Sequence, residues 1–292
     1  MITPDDALTL SRMAQDFCAI PLWGGLAYLT FLVPKPLAME LSKKLRPWYR
    51  LMATALFAVT LAILPVQSAS LGEGWPDAWN IEVLQAIIFQ SNIGPIWILQ
   101  TALASALLFA ILVLSKRLTF LVIIAGLFLS SRSLIGHAVM LDAPAGIFLR
   151  LSYLAHVLAA GAWVGALLPV LLVIREMTSK ITEEQKKALR KFSSAGHVAV
   201  FVAIVSGVIN ATLIRHRFYP SSSSSYDAML TLKIAIVAAM VSIAVVNRYL
   251  IVPRLVDNRH SAAILGVFTG VEFVLAGFVL VVINLLSALN PH

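Results

Sequence analysis

Eight stretches of the chain stay apolar for lengths that surface helices of soluble proteins rarely sustain: Leu8–Val33, Leu51–Val66, Pro95–Ser115, Leu118–Ile135, Leu151–Ile174, Phe192–Ile214, Met229–Ile251 and Ala262–Ala288. Most approach the ~20 residues that a helix needs to cross the hydrocarbon of a bilayer. Inside a bilayer the backbone has no water to bond with, so a spanning segment is a helix or a strand of a closed barrel. Uniformly apolar runs of this length predict helices. The pattern therefore predicts an all-α, polytopic membrane protein with about eight transmembrane helices, the whole of 1–292 forming a single helical domain. Asn80–Gln90 is short and mixed in polarity, which predicts an extracytoplasmic surface helix and not a ninth span.

Charge gives the orientation. Sixteen Lys and Arg residues lie in the loops after the first, third, fifth and seventh spans, within Lys35–Arg50, Lys116–Arg117, Arg175–Lys191 and Arg248–Arg259. The opposite loops hold only Arg132, Arg150, Arg215 and Arg217. Short cytoplasmic loops retain basic residues, so both termini are expected to be extracytoplasmic. The net charge of +8 is then a topology signal facing anionic membrane lipids, and it needs no nucleic-acid partner. Composition agrees: 12% of the residues are charged, against about 25% in soluble domains, too few to cover a soluble surface.

The N-terminal "MITPDDALTLSRM" carries aspartates where a cleaved signal would be basic, and it reads as a retained first span. The single cysteine, Cys18, excludes an internal disulfide, a four-cysteine cluster and a CxxC redox pair. No Walker-type phosphate loop occurs, which sets aside ATP hydrolysis by this chain.

Chemistry concentrates around "RSLIGHAVMLDAPAGIFLRLSYLAHVLAAGAWVG", Arg132–Gly165. With the fourth span running outward and the fifth inward, His137 and His156 come close within the outer third of the membrane, with Met140 and Asp142 over the same mouth. Imidazole, carboxylate and thioether suit copper, nitrogen and oxygen favouring Cu(II) and sulfur Cu(I); zinc accepts the first two as readily. His156 lies inside a span, where an ionisable group needs an internal partner, and such groups mark sites or pathways. Ala160 and Trp163 continue its helical stripe, and Gly161 with Gly165 forms a small-residue pair suited to close helix contact. Deeper polar groups are His197 towards the cytoplasmic end of the sixth span and Glu272 near the middle of the eighth, with Asp16, Asn210 and Lys233 elsewhere. Glu272 is expected to be neutral, paired with Lys233, or facing water.

The segments "GHA", "HVLAAGAWVGALLPVLL", "FSSAGHVAVFVAIVSGVINATL", "LTLKIAIVAAMVSIAVVNRYLIVPRL" and "VEFVLAG" resemble the bacterial CopD (PcoD-type) copper-resistance membrane proteins over the whole chain. The resemblance rests most on the His156–Trp163–Gly165 pattern, Lys233, Asn247–Leu255 and Glu272. It implies a non-enzymatic copper transport or uptake component of the bacterial inner membrane, with a copper ion as cargo and a periplasmic copper-binding protein of the CopC type as donor. It supports His137, His156 and Glu272 as metal-site residues, with His197 a looser match, and makes Trp163, Gly165, Lys233, Asn247 and Arg248 architectural. The chain departs from some copper-resistance proteins in lacking methionine-dense extracytoplasmic segments. Two alternatives remain open: a b-type haem electron-transfer or metalloreductase subunit with axial histidines, and a noncatalytic scaffold for a copper-binding partner.

The charge distribution makes a direct prediction. A reporter fused after His292 is expected on the extracytoplasmic side and one inserted near Lys186 in the cytoplasm. Protease protection of the two fusions checks both, and the reverse pattern would turn the His137–His156 mouth to the cytoplasm.

Overall fold

A computed structural model describes residues 2–114, 117–135, 144–177, 181–215, 225–256 and 259–289, and these contain helices and no strand. The helices are α1 (Pro4–Ala27), α2 (Lys35–Leu71), α3 (Ile81–Gln90), α4 (Ile93–Val113), α5 (Leu118–Ser130), α6 (Ala145–Arg175), α7 (Glu183–Arg215), α8 (Ser225–Val246) and α9 (Arg259–Ser287). α1 widens into a π turn at Tyr28–Leu32, and α5 tightens into a 3-10 turn at Ser131–Leu134. α8 runs on through a π turn, Asn247–Ile251, and a 3-10 turn, Val252–Val256.

Local chemistry fixes several helix starts. At α1 the Asp6 amide donates to Thr3 Oγ1 at 3.2 Å while the Thr3 amide donates to Asp6 Oδ2 at 3.3 Å, a reciprocal cap. Thr182 and Gln185 repeat the arrangement before α7. Asn80 accepts from the Glu82 amide at 3.1 Å and starts α3, the short helix expected there.

Every expected span is helical, but the count of spanning helices differs. Among the described residues six helices, α2, α4, α6, α7, α8 and α9, are long and apolar enough to cross a membrane. Of the other two, α1 carries Asp5, Asp6, Arg12 and Asp16, and the fourth expected span is a short helix, Leu118–Leu134. α2 also begins earlier than the apolar run, so the basic stretch Lys35–Arg50 is helix and not loop.

α1 and α6 lie side by side at the centre. α1 also packs against α2, α5 and α9, and α6 against α7 and α9; α4 joins α2 and α5, and α8 joins α9. Among the described residues the sequential pair α7 and α8 makes few close backbone approaches, and both helices pack on the cluster around Trp163 and Leu167. Glycine makes the central contact possible: a Cβ on Gly24 would collide with the Gly161 carbonyl oxygen, and one on Gly165 with the Ile20 carbonyl oxygen. Trp23 Nε1–H donates to the Leu158 carbonyl at 3.0 Å and seals the same seam. The small-residue pair on the fifth expected span is thus where α6 meets α1.

Both collisions are with backbone, which cannot swing aside. Gly165→Val is expected to destabilise the protein by about 3 kcal/mol or more, read as a fall in the unfolding midpoint in detergent. Gly277→Ala, at a glycine with nothing within 4 Å of an added Cβ, should leave that midpoint nearly unchanged.

Candidate functional site

Among the described residues, two polar regions of the bundle hold most of the expected site positions and their neighbours, and they differ in how completely they are satisfied. The first ties α1, α2, α4, α5 and α9 together in the half nearer α3. Arg132 Nε lies 3.1 Å from Asp16 Oδ1, and Arg132 Nη1 donates to Gln15 Oε1 at 3.0 Å. Asn284 Nδ2 donates to Asp16 Oδ2 at 3.2 Å. Gln15 Nε2 donates to Thr60 Oγ1 at 3.1 Å, and Gln100 Nε2 to Ser131 Oγ at 3.0 Å. Nearly every member of this network is buried and bonded, which is the form that buried polar groups take when they hold a fold together.

The second region begins at His156. Eleven residues into α6, about 16 Å along its axis, its imidazole lies against α7. Nδ1–H donates to the Ala203 carbonyl at 2.9 Å and to Ser206 Oγ at 3.2 Å. The Ser206 hydroxyl proton is itself given to the Val202 carbonyl, so Ser206 Oγ accepts. A carbonyl only accepts; with Nδ1 tied to one, the neutral ring carries its proton there and leaves Nε2 as a lone-pair donor. Gly207 gives the ring room, since a Cβ there would stand 3.2 Å from His156 Cε1. Lys233 on α8 is the charged group whose field reaches the ring.

About 10 Å further along α6, Trp163 opens a cavity of about 270 Å³ bounded by α6, α7, α8 and α9. His197, Asn247, Arg248 and Glu272 line it. Glu272 is 3% exposed and accepts from Asn247 Nδ2 at 3.0 Å. Arg248 Nη1 donates to Ser193 Oγ at 3.1 Å and its guanidinium lies 5.6 Å from the Tyr249 ring centre.

A profile of the copper resistance protein D-like N-terminal domain matches residues 1–147, and one of copper resistance protein D matches residues 186–286. The chain is 33% identical over 275 residues to the inner membrane protein YebZ of Escherichia coli, covering 92% of this chain and 93% of that one. The chain belongs to the copper resistance protein D family. It is also 24% identical over 220 residues to copper resistance protein D of Pseudomonas syringae pv. tomato, covering 72% of this chain and 71% of the relative. Identity to the copper transport protein CutJ of Bacillus subtilis is 24% over 253 residues, covering 82% of this chain and 46% of CutJ. No solved structure matches the chain.

This copper resistance protein D family member is thus a multi-pass membrane protein, and α6, with His156, Trp163 and Gly165, lies almost wholly between the two matched regions. Of the expected site residues, His137, Met140 and Asp142 lie outside the described residues. His156 sits on the α6–α7 seam. His197 and Glu272, expected at different depths, line one cavity. Of the alternatives for Glu272, the pairing with Lys233 does not form: Lys233 is fourteen residues, about 20 Å of helix, from Glu272's partner Asn247. Among the described residues no group of three or more His, Cys, Asp or Glu side chains is gathered. Beside His156, α7 presents Ala203, Ser206 and Gly207, with His197 about 9 Å along the helix from Ala203, so the described part of α7 supplies no second axial histidine at that depth. Sequence reading passed over Gln15, Thr60, Gln100 and Asn284, whose signal is an isolated amide or hydroxyl within an apolar run.

The Asp16–Arg132 pair is nearly enclosed. Asp16→Asn is expected to cost about 3 kcal/mol by leaving the guanidinium unpaired, and Asp16→Asn with Arg132→Gln should recover a measurable part of that loss. Unfolding midpoints of the single and double variants in one detergent check the pairing.

Proposed function

We propose that the protein carries copper across the inner membrane, accepting it on the extracytoplasmic side from a periplasmic copper-binding donor of the CopC type. The observation that carries this reading is the tied imidazole of His156. Metal-binding histidines commonly give one ring N–H to a carbonyl or carboxylate, which fixes the tautomer and turns the other nitrogen towards the metal. His156 has that arrangement within a bundle whose relatives are named for copper resistance and copper transport.

In this reading eight helices cross the membrane with both termini outside, α1 and α5 being held in place by the Asp16–Arg132 network. His137 completes the entry site with His156, and Asp142 or Met140 contributes a further oxygen or sulfur. The Lys233 ammonium opposes a resting cation at His156, which keeps copper weakly held and able to move on. His197 and Glu272 in the cavity below are the polar groups that receive it. The steps are ligand exchange, with no covalent chemistry.

His156→Ala is expected to lower copper affinity at least about tenfold, the equivalent of one lost coordination bond worth ~1.4 kcal/mol or more. It should leave the unfolding midpoint near that of the parent, because Gly207 and Ser206 can accept water in the ring's place. Copper titration and thermal unfolding of the purified variant, with copper uptake into proteoliposomes, test the reading together. Unchanged affinity and uptake in a His137→Ala/His156→Ala protein would overturn it.

A further inference from the structure

α3, at 10 residues, is far too short to cross a bilayer, yet it carries apolar side chains that the bundle leaves uncovered. Trp79, Ile81 and Phe89 are each two-thirds or more exposed, and Leu71 and Trp75 beside them are exposed as well. Ile87 is buried against the bundle, while Ile81, Gln85 and Phe89, spaced four residues apart, form the outward stripe.

The neighbouring helices fix the depth of this stripe. α4 has 21 residues and no charged side chain, and its length of about 31 Å only just matches the hydrocarbon core, so its first turn lies at the edge of that core. The end of α3 is held on that turn, because a Cβ on Gly94 would collide with the Ile88 carbonyl oxygen. Ser91 closes the short corner between the two helices: its Oγ donates to the Ile87 carbonyl at 2.6 Å and accepts from the Ile93 amide at 3.1 Å. The start of α3 is held too. It follows a 3-10 turn, Trp75–Trp79, which Ser68 near the end of α2 ties down by donating from Oγ to the Asp77 carbonyl at 2.6 Å. Pinned at both ends to spanning helices, α3 cannot rise clear of the bilayer surface.

We infer that α3 and the turn before it form a lipid-binding surface, seated at the headgroup boundary of a zwitterionic phospholipid leaflet with Trp79, Ile81 and Phe89 turned into the upper acyl chains. Depth favours lipid over a soluble partner, which would have to displace headgroups to reach the stripe. The exposed apolar surface also continues onto α4, at Ile98 and Leu99. Tryptophan suits this level because its ring is apolar and its N–H is a donor for headgroup or water. Charge narrows the lipid. Between Gly72 and Asn92 the chain carries Glu73, Asp77 and Glu82 and no Lys or Arg, whereas surface helices that hold anionic leaflets are rich in basic residues. The inference does not rest on the copper reading, since neither the stripe nor its depth depends on what His156 holds.

The test uses the full chain in phosphatidylcholine bicelles without copper, so that its failure leaves the copper reading standing. Cys18 is the single cysteine and is buried, so a nitroxide can be placed at one chosen position in a Cys18→Ala protein, or with Cys18 kept if that change lowers the folded yield. Ile81→Cys, Phe89→Cys and, as the aqueous reference, the exposed Glu73→Cys are labelled in turn. Spin relaxation by oxygen, which concentrates in lipid, is compared with relaxation by a water-soluble nickel chelate. At 81 and 89 oxygen should be the stronger relaxant, and at 73 the chelate. Stronger relaxation by the chelate at 81 and 89 would place the stripe in water, and protection from both probes would show a second copy of the chain covering it; either result overturns the proposal. Replacing half of the phosphatidylcholine by phosphatidylglycerol should leave the oxygen preference at 81 and 89 unchanged or reduced. A rise in that preference overturns the assignment to zwitterionic lipid.

Discussion

The structure depends on the approach of α1 to α6, where only hydrogen fits between Gly24 on one helix and Gly161 and Gly165 on the other. In a lipid solvent helices gain little from burying apolar side chains against each other, so close backbone packing supplies much of the association. This seam holds together the half of the bundle built on α1 and the half built on α6. It also decides which way α6 faces. With its glycine edge against α1, the helix turns His156 towards α7 and Trp163 towards the α8–α9 side.

Polar groups in such a bundle must find partners within it, and the two halves meet that demand differently. Around Asp16 and Arg132, amides and hydroxyls from five helices converge until nearly every donor and acceptor is used. The result fixes α1 and the end of α5, which are not among the helices long and apolar enough to cross a membrane by themselves. Around Glu272 satisfaction is less complete: Asn247 keeps an enclosed oxygen without a partner, and Asn247, His197 and Glu272 line a cavity. Closed networks hold structure, whereas open ones beside a cavity are where a transported ion or a ligand finds partners.

The family match and the geometry of α6 inform different questions. Similarity to YebZ covers nearly the whole chain, while the two family profiles meet the bundle on either side of α6. The helix between them provides both the central seam and the tied imidazole. One edge of the helix packs through glycine against α1, and another carries the His156 imidazole against α7.

Much of this was legible in the residues alone. Apolar runs placed eight of the helices in the described residues, although α2, α6 and α7 begin well before their runs, because hydrophobic length reports directly on what must be shielded from water. The Gly161–Gly165 spacing announced a close contact, and an imidazole at position 156 inside an apolar run announced a partnered group. What the sequence could not determine was the partner in each case. Glu272 chose Asn247 and not Lys233, and His197 came to the same cavity as Glu272, because helix register and rotation set those meetings and neither is encoded in the hydropathy of one helix. Arg132 read as a loop charge until Asp16, more than a hundred residues earlier, was brought within 3.1 Å of it. Composition along a single helix decides whether it enters the membrane; only the packing of helices against one another decides which of its polar groups are satisfied there and which are left open for chemistry.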